Sequence, residues 1–206
     1  MKTYVIKKRN GMYKIPRFVK FLIPFKKFEF EYNDNLYEKE INGNNEIRQI
    51  SLLVEALNIK NKKERYDFIY EKSCDLLDDD FYGKNICEFR NNKCIHDRKY
   101  NSKGNGCCMS NNGLRRCKYL NNGRCSIRNL ACKFHVCSCI RKKGYNRKVN
   151  DIYLLKYLYN WKQKIIIYFS FFLTKEEVLK EVYRNSIIIW ALKKEKNNWI
   201  IQKKKD

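Results

Sequence analysis

Nine cysteines between Cys87 and Cys139 constrain this chain more than any other feature. They are Cys87, Cys94, the adjacent pair Cys107 and Cys108, Cys117, Cys125, Cys132, Cys137 and Cys139, with a tenth, Cys74, upstream. The segment that holds them, from Gly83 to Gly144, is rich in Asn, Gly and basic residues and has no apolar periodicity. Turn signals recur at Asn91-Asn92, Gly104-Asn105-Gly106, Asn111-Asn112-Gly113 and Asn121-Asn122-Gly123. Such a stretch cannot bury a core of its own. Its thiols are expected to staple it, through metal or through disulfides.

The two kinds of staple belong to different compartments. The amino-terminal residues Met1 to Gly11 contain no uninterrupted apolar stretch and no small-residue cleavage site of the secretory kind. The longest apolar run, Ile165 to Leu173, is about half of the ~20 residues a spanning helix needs and is flanked by lysines. It reads as a buried helix or strand. A cytoplasmic location follows as the expectation, and in that reducing environment dense cysteines argue for metal over disulfides. A secreted, disulfide-stapled protein is the alternative.

Spacing narrows the metal chemistry. No Cys-x-x-Cys knuckle occurs, which disfavours ordinary zinc fingers, ribbons and RING modules, and the closely spaced ferredoxin run is missing. What remains is an irregular cluster with ligands on several loops. A thiolate shell suits zinc or an Fe–S cluster and excludes hard cations. The candidate ligands are the nine cysteines from Cys87 to Cys139, with His96 and His135 as possible additions. Cys74 sits beside the apolar stripe of a helix and reads as a buried structural thiol.

One passage resembles a known family. Cys107-Cys108, Cys117-Lys-Tyr-Leu120, Gly123-Arg-Cys125-Ser-Ile127 and Leu130-Ala-Cys132-Lys-Phe-His-Val-Cys137 are similar to the YkgJ-like family of zinc- or iron-chelating cysteine-cluster proteins. The resemblance covers about residues 87–139. It implies metal binding. It departs from the family where Asn129-Leu130-Ala131 stands in place of the Arg-Pro that precedes the late cysteine.

The net charge of +23 is unevenly spread. Residues 31–83 are net acidic, whereas residues 84–150 hold seventeen Lys and Arg against Glu88 and Asp97. A basic surface attracts polyanions. The candidate contacts are Arg115, Arg116, Lys118, Arg128, Lys133, Arg141, Lys142 and Lys143. Nucleic acid or an acidic protein is the expected partner. The aromatics of residues 1–32, interleaved with basic residues, read chiefly as core, with base stacking as the sharper alternative.

Periodicity supplies the frame. Phe28 to Tyr32 alternates as a short strand. Asn45 to Asn58 places Ile47, Ile50, Leu53, Val54 and Leu57 on one helix face. Asn61 with Glu64 opens a second helix whose stripe is Tyr66, Ile69, Tyr70, Ser73 and Leu77, ending near Tyr82-Gly83. From Asp151 the pattern is helical again, with Thr174 and Glu177 as a capping box. Asp78-Asp79-Asp80 reads as a solvated helix end, because consecutive helical positions point apart. The expected architecture is mainly α, two helical segments flanking an irregular, loop-rich, metal-stapled cysteine module, with short amino-terminal strands. The divisions fall at 1–83, 84–150 and 151–206, the last packing on the first and ending in a basic tail.

No Walker loop, Gly-x-Gly-x-x-Gly, His-Glu-x-x-His or Gly-x-Ser-x-Gly is present. The chain therefore reads as a metal-binding module with a basic surface. The main alternative is an iron–sulfur protein in electron transfer or in a modifying enzyme.

Overall fold

Alternation and helical periodicity both become structure in this chain, and one main apolar cluster joins residues 6–77 to residues 130–182. The computed structural model describes residues 2–10, 12–31, 46–84, 86, 89–90, 93–94, 119–121, 124–136, 138–171 and 173–186. Strand β1 (Lys2–Ile6) pairs in parallel with β4 (Lys26–Phe30), Tyr4 opposite Phe28 and Ile6 opposite Phe30. The crossover between them carries a hairpin, β2 (Lys8–Arg9) with β3 (Met12–Tyr13), and a 3-10 turn at Val19–Leu22. Asn10 takes φ 51°, a left-handed conformation that Asn tolerates, at the hairpin's tip. Ile6, Val19, Ile23 and Phe28 point inward and are buried.

Helix α1 (Glu46–Asn58) buries Ile50, Leu53, Ala56 and Leu57, as its periodicity predicts. Its last residue closes a strand edge. The Phe28 amide donates to Asn58 Oδ1 and Asn58 Nδ2 donates to the Phe28 carbonyl, both at 2.9 Å. A side-chain amide thus stands in for a ladder partner. Helix α2 (Lys62–Gly83) starts at Asn61, whose side chain accepts from the Lys63 and Glu64 amides. It buries the predicted stripe together with Cys74 and Leu76.

The cysteine-bearing segment contributes two small antiparallel hairpins, β5 (Phe89–Arg90) with β6 (Lys93–Cys94) and β7 (Leu120–Asn121) with β8 (Arg124–Cys125). Two short helices follow, α3 (Leu130–Phe134) and α4 (Ser138–Lys142). The chain then completes the body with α5 (Tyr153–Leu158), α6 (Trp161–Phe169) and α7 (Lys175–Arg184). The protein is mainly helical with a few short strands.

Gln163 is the most heavily hydrogen-bonded buried polar side chain of the body, whereas the buried Ser73 and Tyr159 hydroxyls make no hydrogen bond among the described residues. Gln163 is almost fully buried; its Nε2 donates to Tyr66 Oη (3.1 Å) and to the Val182 carbonyl (2.9 Å), and its Oε1 accepts from the Asn160 amide. One side chain therefore ties α2, α6 and α7 at no desolvation penalty. The Thr174–Glu177 capping box closes in both directions at the start of α7.

The apolar run at Ile165 to Leu173 differs from its expectation. Helix α6 turns only Ile167 fully inward, with Ile166 half-buried, while Ile165, Tyr168, Phe169, Phe171 and Leu173 are exposed. The helix lies at the margin of the core, so only its Gln163–Ile167 flank is covered. Among the described residues no helix is long and apolar enough to cross a membrane. The Ile187–Trp190 run and the basic tail lie outside the described residues.

Candidate functional site

The cysteine-bearing segment leaves the carboxyl end of α2 and comes back to it. Helix α2 carries Glu71, Asp75 and Asp78 at i, i+4 and i+7, a single acidic stripe. Arg128, just after β8, lies against all three: its Nη2 meets Glu71 and sits 3.0 Å from Asp75, and its Nη1 is 3.6 Å from Asp78. Lys133, buried on α3, reaches Asp78 at 2.5 Å. Asp80 collects Lys84 (2.5 Å), the Tyr145 hydroxyl (2.5 Å) and Arg147 (3.1 Å). Asp79 turns away to Arg48 at 2.6 Å. The three consecutive aspartates do point apart as expected. They are not merely solvated, because each bearing meets a cation.

These pairs leave a mark on ionisation. Burial alone pushes the Glu71 carboxyl up, yet hydrogen bonds from Lys175 and Arg128 hold it below its ordinary value. Asp80 behaves the same way under Lys84, Tyr145 and Arg147. Partial burial opposes the Arg128 charge, and the hydrogen bonds it donates to Glu71 and Asp75 overcome this and raise its pKa.

Main-chain contacts finish the docking. Tyr82 Oη accepts from the Cys125 amide and faces the Cys125 carbonyl at 3.4 Å, fixing hairpin β7–β8 on α2. Tyr70 Oη donates to the Arg128 carbonyl and accepts from the Leu130 amide. Asn129 caps α3 through the Cys132 amide (2.9 Å), and its Nδ2 donates to the Ser170 and Leu173 carbonyls (2.6 and 2.9 Å). Asn129 thus supplies both a helix cap and a tie to the end of α6. Gly144 at φ +84° ends α4, with Tyr145 N bonded to Ile140 O and Gly144 N to Arg141 O, a Schellman closure. Tyr145, Val136, Ile140, Phe81 and Ile86 form a small apolar cluster there.

The structure distributes the predicted site residues unevenly. Cys94 lies on β6, Cys125 on β8, Cys132 on α3 and Cys139 on α4. Cys125 and Cys132 are half-buried. Cys87, Cys107, Cys108, Cys117, Cys137, His96, Arg115, Arg116 and Lys118 lie outside the described residues. Among the described residues no three His, Cys, Asp or Glu side chains gather as a metal site. His135 follows α3 with its ring edge-on to Phe171, centroids 6.1 Å apart. Partial burial and the Arg141 charge lower its pKa, which keeps the imidazole neutral at pH 7. Cys74 is fully buried, and burial pushes its thiol up to about 12. It packs as the structural thiol its position predicts.

The candidate polyanion contacts separate into two groups. Arg128 and Lys133 are engaged by α2 carboxylates inside the fold. Arg141, Lys142 and Lys143 are exposed at the end of α4. Sequence reasoning missed the acidic stripe that holds the first group. Its signal was the i, i+4, i+7 spacing of Glu71, Asp75 and Asp78 next to a segment of opposite charge.

No family model matches the chain, and the comparisons with curated proteins and with solved structures return no significant match.

Proposed function

We propose that this is a metal-binding cysteine-cluster protein, holding zinc or an Fe–S cluster on thiolates of residues 87–139, with a basic surface that binds nucleic acid or another acidic partner. The observation that carries this reading is the scarcity of apolar support for the cysteine-bearing segment. Among the described residues its buried contribution to the main core is Leu130 and Phe134, and Val136 and Ile140 join only the small satellite cluster. Ion pairs and hydrogen bonds to α2 do the rest. A segment this dense in thiols and this poor in core calls for cross-linking, and a bound metal supplies it by joining loops through soft thiolate ligands.

The donor set fits that chemistry with Cys74 set aside as a thiol packed in the apolar core. His135, neutral near pH 7, is suited to join it. The exposed Arg141, Lys142 and Lys143 are the described residues best placed to meet a polyanion, with Arg115, Arg116 and Lys118 as further candidates.

Elemental analysis and absorption spectroscopy of full-length protein purified without oxygen test the metal. Colourless protein with bound zinc supports a structural site, and brown protein that bleaches on reduction supports an Fe–S cluster. Metal-free protein with its thiols oxidised to disulfides overturns the proposal in favour of the secreted alternative. For the partner, reversing Arg141, Lys142 and Lys143 to Glu weakens oligonucleotide binding and lowers its salt slope by about two to three. Binding that is absent at low ionic strength, or insensitive to salt, removes the polyanion half.

A further inference from the structure

A second basic feature lies in the helical body, away from the cysteines. The 3-10 turn at Val19–Leu22, the start of α2 and the start of α6 enclose a cavity of about 150 Å³. Lys20, Lys62 and Arg65 line it, together with the polar Asn160, Gln163 and Ser186. Ile23 and Leu158 give it an apolar wall, and Phe21 and Tyr66 an aromatic one. No Asp or Glu is among its described lining residues.

Several inward-facing cations elsewhere in the fold are paired. Arg128, Lys133, Arg147 and Lys175 each meet a carboxylate of α2. Among the described residues no carboxylate lies within ion-pair distance of Lys20, Lys62 or Arg65. Lys20 rests over the Phe21 ring at 5.4 Å and Lys62 over Tyr183 at 5.0 Å, while Arg65 Nη1 donates to the Ile59 carbonyl. Lys62 and Arg65 also stand in the first turn of α2, where the helix dipole disfavours positive charge.

We propose that this cavity is a binding site for a phosphate group, with Lys20, Lys62 and Arg65 as its ligands. Three cations from two elements suit a multiply charged anion, and aromatic and apolar walls suit an organic moiety attached to it. Consistent with an anion-seeking site, burial lowers the pKa of all three cations, and Arg65 lowers that of Lys62 further. The site makes no use of the cysteine module, so it stands or falls separately from the metal.

The test is a thermal-unfolding titration of the full-length protein with inorganic phosphate and with adenosine monophosphate, against chloride at matched ionic strength. Phosphate is expected to raise Tm where chloride does not. The Lys20→Gln, Lys62→Gln double variant is expected to weaken phosphate binding at least tenfold. Without ligand it should unfold near the parent, because it removes repulsion and breaks no ion pair, offsetting the lost contacts with the Phe21 and Tyr183 rings. Arg141→Gln, outside the cavity, should bind like the parent. A tenfold preference for the nucleotide assigns the walls to an organic moiety, and equal affinity assigns the site to free phosphate. Identical responses to phosphate and chloride, or equal phosphate affinity in parent and double variant, overturn the proposal.

Discussion

The helical body and the cysteine-bearing segment are held by different physics. The body is closed by apolar burial: Ile50, Leu53, Ile69, Leu154 and Leu155 are wholly inaccessible, and Gln163 is fully hydrogen-bonded among them. The segment from Arg124 to Arg147 is docked mainly by charge, with Arg128, Lys133 and Arg147 set against the carboxylates of one helix. Burial is indifferent to pH near neutrality and to metal, whereas ion pairs answer to pH and to salt. The body therefore rests on its apolar core, and the segment depends on its contacts with α2.

Leu155→Ala probes the body and carries the largest expected effect. The side chain is fully buried between α1 and the rest of the core, so the loss is about 2–5 kcal/mol in global unfolding by denaturant. A loss below about 1 kcal/mol breaks the comparison, since the body would then not rest on burial.

Arg128→Ala probes the docking and comes next. It strips Glu71, Asp75 and Asp78 of a shared partner. The guanidinium is about a third exposed, so the cost is discounted to about 1–2 kcal/mol. The effect should be local: faster proteolysis within residues 124–147, with the helical signal of the body retained. Arg128→Lys should rescue only part, because a single ammonium lacks the planar fork whose two Nη atoms meet Glu71, Asp75 and Asp78 together.

Legibility in the sequence followed the same divide. Helices α1 and α2 were readable nearly to the residue, because Ile50, Leu53 and Leu57 recur at the helical period and Asn61 signals the cap. The hairpin at Asn10 was overlooked although Asn10-Gly11 is a strong turn signal. Exposure at Ile165, Phe169 and Phe171 was not readable, since hydrophobicity alone does not say which helix lies at the margin. Within the cysteine segment, spacing named candidate ligands and could not say what docks them. The docking partners, Glu71 with Arg128 and Asp80 with Arg147, are 57 and 67 residues apart, beyond the reach of any local pattern.

Acid should separate the two regions by a smaller margin. Glu71 and Asp80 titrate below their ordinary values when folded, so unfolded chain binds their protons first. Their stabilisation is present above the ordinary carboxylate range and is lost as pH falls through it, below about 4. Hydrogen exchange should show residues 124–147 losing protection between neutral pH and about pH 3 while α1 and α5 keep theirs. Asp80→Asn should flatten that dependence around Tyr145 and Arg147. Parallel loss in both regions contradicts docking by charge.

Cys74→Ala is the smallest and most discriminating change, because Cys74 is the cysteine that belongs to the body. Burial holds its thiol neutral, with a pKa pushed up to about 12, and its surroundings are the apolar stripe of α2. In native protein at pH 8 it should resist thiol reagents and react only at the rate of global unfolding. Because its folded pKa lies above the unfolded one, its contribution is complete at neutral pH and fades only as alkali ionises the unfolded thiol, above about pH 9. Truncation to Ala should cost about 1 kcal/mol and leave metal content unchanged. Cys125→Ala and Cys132→Ala should do the reverse, lowering metal content while the body's unfolding midpoint barely moves. If Cys74→Ala empties the metal instead, the thiol chemistry reaches into the core and the two regions are one.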